Sequence, residues 1–255
     1  TEPGAGSDVA SIRTTAKKQG DRYVLNGTKT FITNGGIADV TVVYGRMEGT
    51  SGMEGMTAFI IDGHPRGFSM GKKEDKMGIR ASHTAELILD DVEVPEEDRL
   101  GAEGKAFQIS MRMFDESRIM VAALAIGIAR GALEIAVDYA VKRSQFGLPL
   151  NRFEGVSFKL ADMAMQIDAA RLLTWRAAWL ATQGKKMTKE SAMAKCFAGE
   201  ISSQVTDQAI QVLGGYGYMH EYLVEKMYRD ARVFRIFEGT SEIMHLVIAR
   251  ELYRS

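Results

Sequence analysis

The spacing of apolar residues changes character once along the chain, near residue 100. Up to Pro95 they come in short runs rich in β-branched and aromatic residues, at Val9–Ala16, Tyr23–Leu25, Thr28–Thr33, Val40–Met47, Met56–Asp62 and Glu86–Val94. Turn signals separate these runs: Asn26-Gly27, Asn34-Gly35-Gly36 and Pro65-Arg66-Gly67. This half predicts an antiparallel β-barrel or sandwich over residues 1–99. Beyond Gly104, Pro149 is the only proline and the apolar residues take helical spacing. The second half predicts a four-helix bundle over residues 100–255, so the fold class expected for the whole chain is α+β.

The first bundle helix carries Phe107, Phe114, Val121, Ile128 and Ile135 at steps of seven, with Met111, Ala125 and Ala132 between them and Arg118 on the same seam. A second helix runs through Leu160, Met163, Ile167, Ala170, Thr174, Ala177 and Ala181 and stops near Gly184. Thr188 can cap a third, with Glu190 in its first turn, and Gly214-Gly215 ends it. Two further helical segments span about Tyr222–Arg235 and Thr240–Arg250.

Composition narrows the function classes. The 32 basic residues against 33 acidic ones are scattered without a basic stripe, which argues against nucleic acid. No apolar run reaches the roughly 18 residues of a membrane span. Cys196 is the lone cysteine, which excludes an intrachain disulfide and suits a reducing compartment. The four histidines lack ligand spacing, so no metal site is expected. The chain opens on Thr1 within a motif-like stretch, as a fragment or processed product would.

Five segments carry candidate chemistry. Thr1-Glu2-Pro3-Gly4-Ala5-Gly6-Ser7-Asp8 lets backbone N–H groups approach a polar ring or phosphate, although an ordinary loop before a strand has the same composition. Phe31-Ile32-Thr33 ends a strand with an aromatic ring that can stack on a planar cofactor or belong to the core. Arg118 needs a partner if buried; Asp115, one turn earlier, supplies one, and a ligand would be another. Gln211-Val212-Leu213-Gly214-Gly215-Tyr216-Gly217 holds more glycine than a helix end requires. Arg235-Ile236-Phe237-Glu238-Gly239-Thr240 sets a carboxylate between an apolar ring and a glycine just before a helix start. Desolvation against Phe237 would raise its pKa toward that of a general base, whereas an exposed loop glutamate would stay ordinary.

In this order, the opening T-E-P-G-A-G-S-D and the closing G-G-Y-G-Y…Y-R-D-A-R…F-E-G-T make the chain resemble the acyl-CoA dehydrogenase family from end to end. The resemblance implies a middle β-domain and a C-terminal four-helix bundle, with the family's N-terminal helical domain absent from this chain. It implies FAD as cofactor, with Thr1, Gly6, Ser7, Phe31, Ile32 and Thr33 around the flavin ring and Thr240 and Glu242 contacting it from the last helix. Arg143, Gln145, Gln211, Gly214 and Gly215 match positions that reach a neighbouring subunit's FAD, which implies a homo-oligomer, commonly a dimer of dimers.

For the substrate, the resemblance implies that Ser7, Asp115, Arg118 and Gly239 contact an acyl-CoA. Glu238 matches the base that removes the α-proton while the β-hydrogen leaves as hydride to flavin N5, giving trans-2-enoyl-CoA. The Glu238 N–H and a flavin ribityl hydroxyl would hold the thioester oxygen. Some members carry the base just before the arginine matched by Arg118; here that residue is Ser117, and Glu116 lies about 100° further round the helix. Phe31 stands where relatives usually have Trp, and Glu154 stands near a position that often carries an amide. Electrons would pass to an electron-transferring flavoprotein, in the bacterial cytoplasm or mitochondrial matrix. An oxidase using the same residues, or a non-catalytic assembly partner, are the other readings.

Overall fold

The computed structural model describes Thr1 to Arg254 and forms two compact units, Thr1–Arg112 and Met113 onward. The first unit is built on one seven-stranded sheet: β1 (Thr15–Gln19), β2 (Arg22–Thr33), β3 (Val40–Met47), β4 (Met56–Asp62), β5 (Phe68–Lys73), β6 (Thr84–Pro95) and β7 (Arg99–Leu100). The strand order is β5-β6-β2-β1-β3-β4-β7. Pairing is antiparallel except between β1 and β3, which run parallel through Thr15–Arg46 and Ala16–Met47. The exception follows from topology. β6 occupies the outer edge of β2, so β3, returning from β2, joins on the free side of β1 and must point the same way as β1.

Alternation along the strands fills the core with Tyr23, Leu25, Val43, Phe59, Ile61, Leu87, Leu89, Val92 and Val94. Leu89 and Val92 are three apart, a spacing that would put them on opposite faces of a regular strand. The ladder skips one residue of β6 there, between the pairs Leu25–Val92 and Gly27–Leu89, and the bulge returns both side chains to the core. Asp91 takes φ 51° at this bulge and exchanges two hydrogen bonds with the Asn26 amide, at 2.9 and 2.8 Å. Asn26-Gly27 therefore marks a bulge inside one long strand, not the turn its sequence suggests. Gly27 has to be glycine, because a Cβ would stand 2.5 Å from Thr14 Oγ1.

The expected strand Val9–Ala16 is mostly absent: Val9–Ser11 form a 3-10 turn and β1 begins at Thr15. The Glu2 carboxylate takes the N–H groups of Arg13 (2.5 Å) and Thr14 (3.1 Å), donors a strand would have used. Glu2 also accepts from Thr14 Oγ1 and Lys29 Nζ, each at 2.6 Å, and Lys29 donates again to the Tyr44 carbonyl. Both charges are almost fully buried. The edge strand β5 was not legible, because it pairs only with β6 and exposes Ser69, Met70, Lys72 and Lys73.

The helical elements are α1 (Ala106–Lys142), α2 (Glu154–Thr182), α3 (Thr188–Leu213), α4 (Leu223–Ala231) and α5 (Ser241–Leu252). A hairpin of β8 (Ser144–Gln145) and β9 (Leu148–Pro149) joins α1 to α2. Its turn residues Phe146 and Gly147 both have positive φ, the geometry that matches strand twist in a two-residue loop. The α1 seam lies on alanine more than on the larger residues: Ala122, Ala125, Ala129, Ala132, Ala136 and Ala140 are fully buried, while Ile128 and Ile135 are only partly so. These alanines share one core with Met163, Ile167 and Ala170 of α2 and with Ala198, Ile201 and Val205 of α3. By length and hydropathy α1 is apolar enough to cross a membrane, contrary to the sequence expectation. Here its alanine face is core, and Arg130 and Glu134 pair on its exposed side. Thr188 does not cap α3; Met187 holds that position, and the Thr188 hydroxyl donates to Asp115 at 2.5 Å.

Burial alone pushes the Glu2 carboxyl up, but bonds from Lys29, Thr14 and the Arg13 amide outweigh it and hold the group at about 2. The pair therefore contributes stability above about pH 4.5 that is lost as pH falls toward 2. Glu2→Gln should cost about 3–5 kcal/mol at pH 7, because it strands the buried Lys29 ammonium. Urea unfolding followed by circular dichroism at pH 7 and pH 3 checks this: the gap between parent and variant should narrow at the lower pH.

Candidate active site

The turn carrying Glu238 is gripped by α3 from several points. Gly199 of α3 has no side chain where the turn crosses it; a Cβ there would sit 2.8 Å from the Phe234 carbonyl oxygen. One helical position further on, Glu200 Oε1 accepts from Arg235 Nε at 2.9 Å and from Ser241 Oγ at 2.5 Å, fastening residues on both sides of Glu238. One turn earlier, Lys195 Nζ donates to the Gly239 carbonyl. Thr240 then caps α5, its Oγ1 accepting from the Ile243 N–H at 3.3 Å. These positions recur at 195, 199 and 200 because i and i+4 share a helix face.

Within this grip Glu238 adopts φ 56°, the left-handed region that a residue with a Cβ avoids, and Gly239 follows at φ 93°. Such a conformation costs on the order of 1–3 kcal/mol and persists only where surroundings impose it. α1 supplies the rest. Ser117 Oγ donates to Glu238 Oε2 at 2.7 Å, and Arg118 Nε donates to the Glu238 carbonyl at 3.2 Å. Arg118 is 5% exposed; its Nη1 stands 3.4 Å from Asp115 Oδ1, whose other oxygen takes the Thr188 hydroxyl. Burial pushes the Arg118 guanidinium down from its ordinary value, and Asp115 and Glu238 pull it back. Burial likewise pushes the Lys195 ammonium down, to about 8. Glu116 is exposed, away from this cluster.

The fold thus gathers Asp115, Arg118, Glu238, Gly239 and Thr240 into one cluster of α1, α3 and the turn before α5. Glu242 is exposed in the first turn of α5; its own backbone N–H and the Thr240 hydroxyl lower its carboxyl pKa. Arg143, Gln145, Gly214 and Gly215 fall elsewhere. They line a cavity of about 550 Å³ with Tyr139, Leu150, Tyr216 and Met219, and the Arg143 guanidinium lies 5.7 Å from the Tyr216 ring. Gln211 is exposed at the last turn of α3 beside that cavity's Val212. Neither Glu238 nor Thr240 lines it.

In the β-unit the Thr1 carbonyl accepts from the Thr30 N–H at 2.9 Å, which lays the opening loop beside the end of β2. Gly6 and Ser7 are exposed there, with open space before the Gly6 Cα. β2 carries an extra residue between the pairs Lys29–Leu87 and Ile32–Ala85, and at this bulge Phe31 takes φ 59° and stands 65% exposed. Phe31 is thus no core residue, while Thr33 is exposed and Ile32 half-buried beside it. Lys195, Ser117 and Glu200 were not singled out as site residues from the sequence. The one signal for Lys195 is a cation amid Ala192, Ala194, Cys196, Ala198 and Gly199.

Comparison with known proteins gives the family. The family model described as acyl-CoA dehydrogenase, middle domain, matches residues 1–92, and that for acyl-CoA dehydrogenase, C-terminal domain, matches residues 104–253. The chain belongs to the acyl-CoA dehydrogenase family. It is 50% identical over its whole length to the mitochondrial short-chain specific acyl-CoA dehydrogenase of Mus musculus, of which it covers 62%. It is 47% identical to the CarC subunit of the caffeyl-CoA reductase-Etf complex of Acetobacterium woodii, covering 100% of this chain and 67% of that one. Among solved structures, butyryl-CoA dehydrogenase from Megasphaera elsdenii superposes with a TM-score of 0.97 at 49% identity, over 100% of this chain and 67% of that one. The chain thus spans about three fifths to two thirds of these relatives.

Because Gly199 lets the Phe234 carbonyl lie on α3, Gly199→Ala should destabilise the helical unit by about 1–3 kcal/mol. Chemical denaturation of parent and variant measures it; equal midpoints would show that the turn can lift off α3 without loss.

Proposed function

We propose that this chain is the flavin- and substrate-holding part of an FAD-dependent acyl-CoA dehydrogenase acting on short acyl-CoA thioesters. The observation that carries this reading is Glu238: a carboxylate forced into a left-handed turn, hydrogen-bonded by Ser117, with Arg118 on its own carbonyl. Strained backbone at a charged side chain is characteristic of a group that must be aimed. The short-chain preference rests on the names of the mouse and Megasphaera relatives.

Three features fit a flavin dinucleotide. Phe31 is a ring turned outward by a bulge, suited to pack on a planar group. Thr1, whose carbonyl takes the Thr30 N–H, Gly6 and Ser7 in the exposed opening loop, and Ile32 and Thr33 next in β2 would supply the contacts around the ring. The Arg143 cavity, open before Gly214 and Gly215, suits an anionic pyrophosphate or nucleotide, with Gln145 and Gln211 as amide partners. Thr240 and Glu242 would meet the cofactor from the start of α5. When bound, FAD supplies the acceptor for the β-hydrogen and its electron pair.

The chain's own residues supply the rest. Glu238 takes the α-proton of the thioester, and the electrons of that C–H bond form the new α,β double bond as the β-hydrogen departs. The Glu238 N–H, held by the clamped turn, would polarise the thioester carbonyl and stabilise enolate charge. In the helical unit Asp115, Arg118 and Gly239 would contact the CoA thioester, and in the β-unit Ser7 is the residue offered to it. Ser117 keeps the carboxylate in one rotamer. The name of the CarC relative supports an electron-transferring flavoprotein as electron acceptor. A homo-oligomer is supported by an exposed apolar stripe on α2, where Phe158, Met165, Leu172, Trp175 and Trp179 are each more than half exposed.

Glu238→Gln tests the reading. The amide is nearly isosteric and keeps the backbone N–H, so fold and flavin should remain. Removal of the base should slow dehydrogenation by about 10²- to 10⁴-fold. Anaerobic mixing of the flavoprotein with butyryl-CoA, followed by flavin bleaching, gives the rate. Bleaching within a few-fold of the parent would assign the proton to another group.

A further inference from the structure

Lys195 is the largest charged side chain buried in the helical unit that the proposed chemistry leaves unused. It is 1% exposed, on the α3 face otherwise made of Ala192, Ala194, Ala198 and Gly199. A charge there is unfavourable, since an apolar side chain of similar length would fill the same volume without desolvation. Its ammonium donates to the Gly239 carbonyl, and the titratable groups around it are Arg118, Glu238, Glu200 and the neutral Cys196 thiol.

Two successive carbonyls of the turn are thereby held by two buried cations on two different helices. Arg118 of α1 holds that of Glu238, and Lys195 of α3 holds that of Gly239. Fixing both carbonyl directions fixes the two peptide planes that flank Gly239, at φ 93°, and so anchors the backbone immediately after Glu238, whose Cα bears the carboxylate. Glu200 restrains the turn only through its flanks, at Arg235 and Ser241.

We propose that Lys195 is a positioning residue for the dehydrogenation: by binding the Gly239 carbonyl it holds the Glu238 carboxylate in line with the substrate α-proton. This rests on the reading of Glu238 as the base. The proposed reading gives Lys195 no contact of its own with substrate or cofactor, so its loss should act on the rate of proton removal and leave substrate affinity, set mainly by Asp115 and Arg118, nearly intact. Misaiming a reacting group by about an ångström lowers a rate by up to about 10²-fold.

The experiment uses the full flavoprotein and compares Lys195→Met, Lys195→Gln and Glu238→Gln by anaerobic flavin bleaching with butyryl-CoA over a concentration series. Lys195→Met keeps the length but has no donor, and should bleach about tenfold or more slowly at saturation with a half-saturation concentration within about threefold of the parent. Lys195→Gln retains an N–H donor and should recover at least about threefold of that loss. Should Lys195→Met fail to fold with flavin, Lys195→Ala, which also removes the donor, takes its place: slowed bleaching at unchanged half-saturation supports the proposal, and parental bleaching overturns it. Parental bleaching by Lys195→Met, or a loss confined to half-saturation, also overturns it. Glu238→Gln separates the two ideas, because a slow Glu238→Gln beside a parental Lys195→Met rejects only the role of Lys195, whereas a fast Glu238→Gln rejects the underlying reading.

Discussion

The helical unit depends on the contact between α3 and the turn at residues 234–241. The turn is short and lies almost against the helix backbone, which is possible only because Gly199 offers no side chain to the Phe234 carbonyl. Once that approach is fixed, Lys195 and Glu200 fall where they can bind the Gly239 carbonyl and the two flanks of the turn. α5 then starts from a defined point, capped by Thr240, and Met244 enters a small core with Ala192 and Cys196. The position of Glu238 follows from these contacts and not from any preference of its own.

Each unit holds a side-chain-bearing candidate site residue in the left-handed region by its surroundings. In the sheet, an extra residue in β2 sets Phe31 in the left-handed region and turns its ring outward; in the helical unit, the clamped turn does the same for Glu238. Neither is a conformation the residue favours, so both depend on rigid surroundings. In the β-unit the surroundings are the ladder to β6 and the buried Glu2–Lys29 pair, which ties the opening loop to the strand that carries Phe31. Polar groups buried with all their partners present are costly to disturb, and they specify one geometry.

The chain matches the middle and C-terminal domain models of acyl-CoA dehydrogenases, and the β-unit and the helical unit each carry one of these two strained residues. Residues at the Arg143 cavity form a separate group in the helical unit, and Glu238 is not among them. Buried cations are the common thread of the helical site. Arg118 and Lys195 hold neighbouring carbonyls, and burial lowers the pKa of both, so each is kept where an apolar residue would have packed at less cost.

Much was legible without the structure. The change of apolar period gave a β-unit followed by helices, and Glu238 stood out because a carboxylate before a glycine and a helix start is a recognisable local pattern. Alternation also gave most strands, since burial on one face imposes a period of two. What local pattern could not give were features set by partners far along the chain. Asn26-Gly27 became a bulge because β6 pairs across it, and Val9–Ser11 left the strand because the Glu2 carboxylate captured the next N–H groups. Local pattern left Phe31 open between core and surface, and a register shift against β6 turned it outward. Lys195 was silent in sequence because its partner, the Gly239 carbonyl, is 44 residues away and is a backbone atom that every residue type carries. The sequence determined which residues could do chemistry, through their side chains; tertiary structure decided which were aimed, because direction is set by backbone conformations that only distant contacts can hold.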